Sequence, residues 1–171
     1  MRFSLLRKTT VLTLCLWLLP LQACTSSEKA GPYAPNFTLE DLSGKKVSLS
    51  DHRGQFVLID FWATWCQPCM RSIPELVDLH KKYRERGLVV LGISLDPPNQ
   101  VDNNRLAAFK EKNRIEYVIL RGSEKVLQDY SGPEGMAIPT MFFVDREGRI
   151  VERLVGFRPG RVENSLKKLM G

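Results

Sequence analysis

Apolar side chains recur along this chain in two rhythms. Five of the six residues in Phe56-Val-Leu-Ile-Asp-Phe61 are apolar, with one acid inside the run. An apolar run of that length predicts a strand covered on both faces, as in a parallel sheet. Leu88-Val-Val-Leu-Gly-Ile-Ser94 predicts a second such strand and Tyr117-Val-Ile-Leu120 a third. Met141-Phe-Phe-Val144 and Ile150-Val-Glu-Arg-Leu-Val155 predict two more, joined by Asp145-Arg-Glu-Gly148, in which Gly148 supplies the positive φ of a tight hairpin. Phe37-Thr-Leu39 and Val47-Ser-Leu49 alternate with period two around Ser43-Gly44 and predict a small hairpin. Helical spacing shows elsewhere. Ile73, Leu76, Val77, Leu79 and His80 form a stripe that stops at Arg86-Gly87. Leu106, Ala107, Phe109 and Lys110 mark a second helix, with Asn103 or Asn104 as its cap. Val126, Leu127 and Tyr130 mark a short third, and Val162 to Met170 an amphipathic fourth. Strand–helix–strand units followed by a hairpin and a helix predict an α/β fold, a mixed central sheet flanked by helices on both faces.

The first residues follow neither rhythm. Arg2, Arg7 and Lys8 are the only charges before Glu28, and an apolar stretch from Val11 to Leu21 is broken only by Thr13 and Pro20. A spanning helix needs about 18 or more apolar residues, so this basic start with a short apolar core reads as a secretory signal over residues 1–23. Its end, Leu21-Gln22-Ala23-Cys24, resembles the lipobox of bacterial lipoproteins, which implies that Cys24 is lipidated and becomes the first mature residue. Cleavage without lipid, or an uncleaved anchor, are the alternatives; each places the domain outside the cytoplasm. Residues 24–33 read as the lipidated cysteine and a flexible tether.

Composition then narrows the class. At 171 residues, 43% hydrophobic and 26% charged, the chain fits one soluble domain and excludes disorder, collagen and a multi-pass membrane protein. The net charge of +6 falls to +3 once the signal's three basic residues are removed. No cluster of basic and aromatic residues suggests a nucleic-acid partner. His80-Lys-Lys-Tyr-Arg-Glu-Arg86 reads as the solvated end of a helix.

The chemistry lies in Trp65-Cys66-Gln67-Pro68-Cys69. Two cysteines separated by two residues, after a buried strand and at the opening of a helix, are a redox signal. Partial positive charge and unpaired N–H groups at a helix N-terminus stabilise a thiolate. Cys66 is expected there as the exposed nucleophile, and Cys69 one turn on, within disulfide reach. Pro68 fits a first helical turn, where its missing N–H costs little. Zinc needs about four ligands, and beyond Cys24 only this pair remains, with His52 and His80 distant in sequence. A purely structural disulfide is the other alternative.

Phe56-Val-Leu-Ile-Asp-Phe-Trp-Ala-Thr-Trp-Cys-Gln-Pro-Cys69 resembles the thioredoxin active-site segment. More closely, residues 34–171 are similar to TlpA- and ResA-type extracytoplasmic thiol–disulfide oxidoreductases, whose leading hairpin matches Ala34-Pro-Asn-Phe-Thr-Leu-Glu-Asp-Leu-Ser-Gly44 and Val47-Ser-Leu-Ser-Asp-His-Arg-Gly54. The resemblance implies a thioredoxin-like fold with that N-terminal hairpin and an inserted strand–helix segment around Pro97 to Leu120. Peroxiredoxins share the fold, but Ala63 stands where their threonine would precede the nucleophile. The resemblance also assigns roles. Asp60 falls on the buried acid of thioredoxin, whose pKa should rise and which can take the proton of Cys69; a strand-end acid satisfied locally is the alternative. Pro139 matches the cis-proline loop, leaving the Ile138 backbone free to pair with an extended substrate chain. Gly156 matches a glycine beside the substrate groove, with a plain turn role as the alternative. Pro74 matches a helix-kinking proline and reads as structural. Trp62 and Trp65 flank the site, at least one of them as an exposed platform, with a core role for Trp62 as the alternative. Gln67 and Pro68 lie between the cysteines and influence the potential. One departure stands out: relatives carry Glu three residues after the second cysteine, where this chain has Ser72. Glu75 reads as too distant to replace it, and Glu134 as a candidate from loop position.

The expected activity is dithiol–disulfide exchange with extracytoplasmic protein substrates, as a reductant tethered through Cys24 and recycled by a membrane electron donor. Apocytochrome c maturation is one candidate pathway. The protein is expected to be a monomer without cofactor or bound metal. A thiol peroxidase and a copper-handling CxxC binding protein are the rivals.

Overall fold

The computed structural model describes residues 31–133 and 135–171. The segment read as a signal (residues 1–23), Cys24 and Glu134 lie outside the described residues. Two short strands, β1 (Thr38–Glu40) and β2 (Lys46–Ser48), form the antiparallel hairpin read from period two. The Asp41 carboxylate closes it by accepting the N–H groups of Ser43 at 2.8 Å and Lys45 at 3.0 Å. Next come β3 (Phe56–Trp62), α1 (Gln67–Tyr83), β4 (Leu88–Ser94), α2 (Asn103–Lys112), β5 (Val118–Arg121), α3 (Glu124–Tyr130), β6 (Thr140–Val144), β7 (Ile150–Val155) and α4 (Arg161–Met170). The main sheet runs β5-β4-β3-β6-β7, parallel from β5 to β3 and antiparallel from β3 to β7. Gly148 has the expected positive φ, +83°, in the turn before β7.

Strand alternation divides the core. Leu58 and Trp62 of β3, with Leu88 and Val90 of β4, face α1, α2 and α4 through Ile73, Leu76, Leu106, Val162 and Leu166. Val57, Ile59 and Phe61 face the other way, onto α3 and the hairpin. The continuous apolar run thus serves two layers at once, and full burial of each such side chain contributes about 1.5–3 kcal/mol. Asp60 shares the α1 face with Leu58 and Trp62.

Local expectations shift in two places. Asp102, rather than Asn103 or Asn104, caps α2, its carboxylate accepting the Arg105 N–H at 2.8 Å. The segment after Pro97 delivers α2 and then β5, which begins at Val118, because Tyr117 turns its ring into the α1-side layer ahead of the ladder. The basic run begins in the last turn of α1 and continues through a 3-10 turn at Arg84–Arg86, with exposed Lys81 and Lys82 paired to Glu116 and Glu163.

Gly92 is opposite Asp60 in the β3–β4 ladder. A Cβ there would lie 3.1 Å from both Trp62 Nε1 and Tyr117 Cε2. Both rings close over the strand only because no side chain stands between them. Gly92→Ala is expected to lower unfolding stability by about 1–3 kcal/mol, read from a urea denaturation midpoint.

Candidate active site

The end of β3 delivers Ala63, Thr64 and Trp65 into the first turn of α1. Cys66 is the N-cap, with extended backbone (φ −83°, ψ 102°), and its sulfur accepts the Cys69 N–H at 3.2 Å. Pro68 falls in the first turn as expected. Cys66 and Cys69 are joined in a disulfide with their Cα atoms 5.2 Å apart. Cys69 is completely buried. Cys66 is only 4% exposed, which corrects the expectation of an open nucleophile. Its cover comes from the loop before β6: the Ile138 carbonyl oxygen lies 3.6 Å from the Cys66 sulfur. The Ile138–Pro139 bond is cis, as the resemblance implied, and Pro139 is buried. The Gly156 N–H donates to the Pro139 carbonyl at 2.8 Å, so Gly156 adjoins this loop.

The two tryptophans part company. Trp65 is 64% exposed beside the sulfur. Trp62 is fully buried, its ring stacked on Phe109 with centroids 5.3 Å apart. The expectation that Trp62 contacts substrate is therefore corrected: strand alternation turns it inward, onto the α1 face. Gln67 is exposed and Pro68 half-buried between the cysteines. Trp65, Leu95, Leu127, Met136 and Ile138 line a groove of about 450 Å³ opening between the residues that flank Cys66. A larger cleft of about 640 Å³, lined by Arg71, Glu75, Asp78 and Phe157, contains none of the reactive groups.

Asp60 lies under α1 in the same layer as Cys69, with zero exposure and neither oxygen hydrogen-bonded. Loss of hydration penalises its anion and pushes its pKa up to about 7. The local-satisfaction alternative is not what the fold provides. Trp62 Nε1 and the Tyr117 hydroxyl in this layer also lack direct partners. Burial, and secondarily the Asp60 charge, keep the Tyr117 hydroxyl protonated.

Ser72 is buried, and its hydroxyl donates to the Cys69 carbonyl at 2.9 Å. It serves the helix backbone and brings no charge to the sulfurs. Glu75 is engaged elsewhere, accepting the Gly160 N–H at 3.0 Å. Asp96 escaped the sequence reading; it is buried beyond β4 and holds Thr64. An acid just past an apolar strand was the only signal, and it does not separate a buried acceptor from a solvated strand end. Among the described residues no group of three or more His, Cys, Asp or Glu could hold a metal ion, and no helix is long and apolar enough to cross a membrane.

Asp60 has a stability consequence with a definite sign. An unfolded chain ionises it near 3.8 and the folded chain near 7, so the folded state keeps the proton across that interval. Stability is full below about pH 4, falls as pH rises toward 7 and levels off above it, by at most on the order of 4 kcal/mol. Asp60→Asn, which stays neutral, is expected to abolish this decline and to be the more stable protein at pH 8, measured by urea unfolding of the oxidised forms.

Comparison with known proteins places this geometry. Residues 30–153 match the AhpC/TSA family. A thiol-disulfide oxidoreductase ResA of Bacillus thuringiensis (strain Al Hakam) is 33% identical over 142 residues, covering 81% of this chain and 78% of that one. The ResA of Bacillus subtilis (strain 168) is 31% identical over 127 residues, covering 74% and 67%. Among solved structures, a thioredoxin-family thiol:disulfide interchange protein of Chlorobium tepidum superposes with a TM-score of 0.73 at 25% identity, over 82% of this chain and 97% of that one. The thioredoxin domain of a Bacteroides vulgatus thiol-disulfide oxidoreductase gives 0.71 at 27% identity, over 83% and 98%. With a CxxC pair capping α1 on a thioredoxin-like sheet, the chain belongs to the AhpC/TSA family and, within it, to the ResA-type thiol–disulfide oxidoreductases.

Proposed function

We propose that this oxidoreductase reduces disulfides in extracytoplasmic proteins while tethered to a membrane through a lipidated Cys24. One observation carries the exchange chemistry: the Cys66–Cys69 disulfide at the N-terminus of α1, in the same layer as a carboxyl that titrates near 7.

In the dithiol form, the Cys66 thiolate gains from the positive end of α1 and from the Cys69 N–H aimed at its sulfur. It attacks one sulfur of a substrate disulfide. A mixed disulfide forms, and the other substrate sulfur leaves as a thiolate. Cys69 then gives its proton to Asp60 and attacks the Cys66 sulfur. The Cys66–Cys69 bond forms and the second substrate thiolate leaves. Two electrons pass to the substrate, whose thiolates take up protons. A membrane electron donor reduces the pair again. Trp65, Gln67, Pro68, Ile138 and Gly156 form the surface that meets the substrate, with the buried Pro139 shaping the loop beneath and the Ile138 backbone pairing an extended segment. Asp60 and the ResA-like frame favour the reducing direction, and apocytochrome c is a candidate substrate class.

The reading is tested in the native host with a Cys69→Ser chain, which stops after the first attack. It is expected to accumulate mixed disulfides with envelope proteins, released by dithiothreitol and absent when Cys66 is also changed to Ser. No capture contradicts the reading. In the purified protein, Asp60→Asn is expected to slow resolution of the mixed disulfide near neutral pH by about 10²-fold while sparing the first attack, followed by stopped-flow mixing with a disulfide-bonded peptide.

A further inference from the structure

The turn Ala63-Thr64-Trp65 connects the buried end of β3 to the reactive pair, and the chain leaving β4 grips it. The Leu95 N–H donates to the Trp62 carbonyl at 2.8 Å. Asp96, 3% exposed, receives the Thr64 N–H on both carboxylate oxygens, at 3.2 and 3.0 Å, and the Thr64 hydroxyl at 2.7 Å. The Ser94 hydroxyl donates to the same carboxylate at 2.9 Å. Asp96 is itself fixed: its N–H donates to Ser94 Oγ at 3.2 Å, and its carbonyl accepts from Arg121 Nη2 at 3.2 Å. Three donors, the Thr64 N–H, the Thr64 hydroxyl and the Ser94 hydroxyl, thus converge on one buried carboxyl group. The Thr64 end of the turn is therefore held by a fully partnered anchor.

The residue after Thr64 is Trp65, and the next is Cys66, whose N–H closes the turn onto the Ala63 carbonyl at 3.1 Å. Trp65 keeps 64% of its surface in water and adds little to the core. The anchor contributes to folding, and it also fixes the backbone that carries a large exposed indole, which lowers the ordering cost when the indole meets a partner.

We propose that Asp96 is a positioning residue for substrate recognition: through Thr64 it holds the Trp65 indole beside Cys66, preset to receive the polypeptide around a protein disulfide. This rests on the exchange reading above and adds how a protein disulfide is distinguished from a small one. The Cys66 thiolate depends on α1, not on Trp65, so a small disulfide needs no latch.

The test compares two disulfides on the full chain: insulin, with dithiothreitol recycling the dithiol, and the small aromatic disulfide dithiobis(nitrobenzoate), mixed by stopped flow with pre-reduced protein from which dithiothreitol has been removed. Thr64→Val removes the hydroxyl bond and keeps the side-chain shape. It is expected to raise KM for insulin roughly fivefold, with kcat and the small-disulfide rate within about twofold of wild type. Asp96→Ala is expected to raise that KM by about tenfold or more, and Thr64→Ser to behave as wild type. If Asp96→Ala does not fold, the Thr64 pair decides. Equal losses with both disulfides in Thr64→Val, or no change in either, overturn the latch. A wild-type chain that reduces the small disulfide but not insulin overturns the protein-substrate reading, and the latch with it.

Discussion

A carboxylate in an apolar layer without a hydrogen-bond partner is unstable as an anion, and Asp60 occupies that position between β3 and α1. The rest of the site is arranged around it. The two-sided apolar strand removes Asp60 from water, and strand alternation directs it toward α1 instead of α3. Above it, the start of α1 acts in the opposite sense, stabilising negative charge on sulfur through its dipole and the Cys69 N–H. A buried thiol alone would hold its proton tightly; a carboxyl alone would shed it. Burying the acid raises its proton affinity, and the helix start favours negative charge on sulfur, so the two effects act toward each other and ease transfer between the groups.

Geometry is enforced by loops tied to neighbouring elements. The cis Ile138–Pro139 loop closes over the Cys66 sulfur and is tied to Gly156. Glu75 reaches from α1 to the N–H of Gly160, the cap of α4, so the far side of the site is fixed to the same helix. Asp96 fixes the near side. The oxidised sulfur is left with a narrow approach between Trp65 and Ile138. Ser72 is absorbed by a backbone bond to Cys69 and brings no charge to the sulfurs, and Asp60 is the buried acid in the layer beneath the pair among the described residues.

Much of this was legible from residues in order. The apolar run around Asp60 gave a two-sided strand, and the cysteine spacing after it gave a helix that begins on a nucleophile. What sequence could not supply was the partner across each face. Trp62 and Trp65 look alike in a string of letters; the α1 layer with Phe109 buries one, and the turn exposes the other. Cys66 reads as open because its cover comes from Ile138, 72 residues away. The cap of α2 fell on Asp102 because Asn and Asp are near-equal caps, and backbone geometry chooses between neighbours. Asp96 was invisible because its partner is 32 residues distant. In each case the deciding contact is tertiary, and local rules rank it below nearer candidates.

The central claim is that burial alone sets the proton affinity of Asp60. The most direct measurement is an NMR pH titration of the isotope-labelled Asp60 side-chain carboxyl in the oxidised protein, where the cysteines do not titrate. A midpoint near 7 is expected. A midpoint near the ordinary aspartate value of about 3.9 would contradict it, because the carboxyl would then be solvated or paired, and it would not serve Cys69 as a base matched to neutral pH.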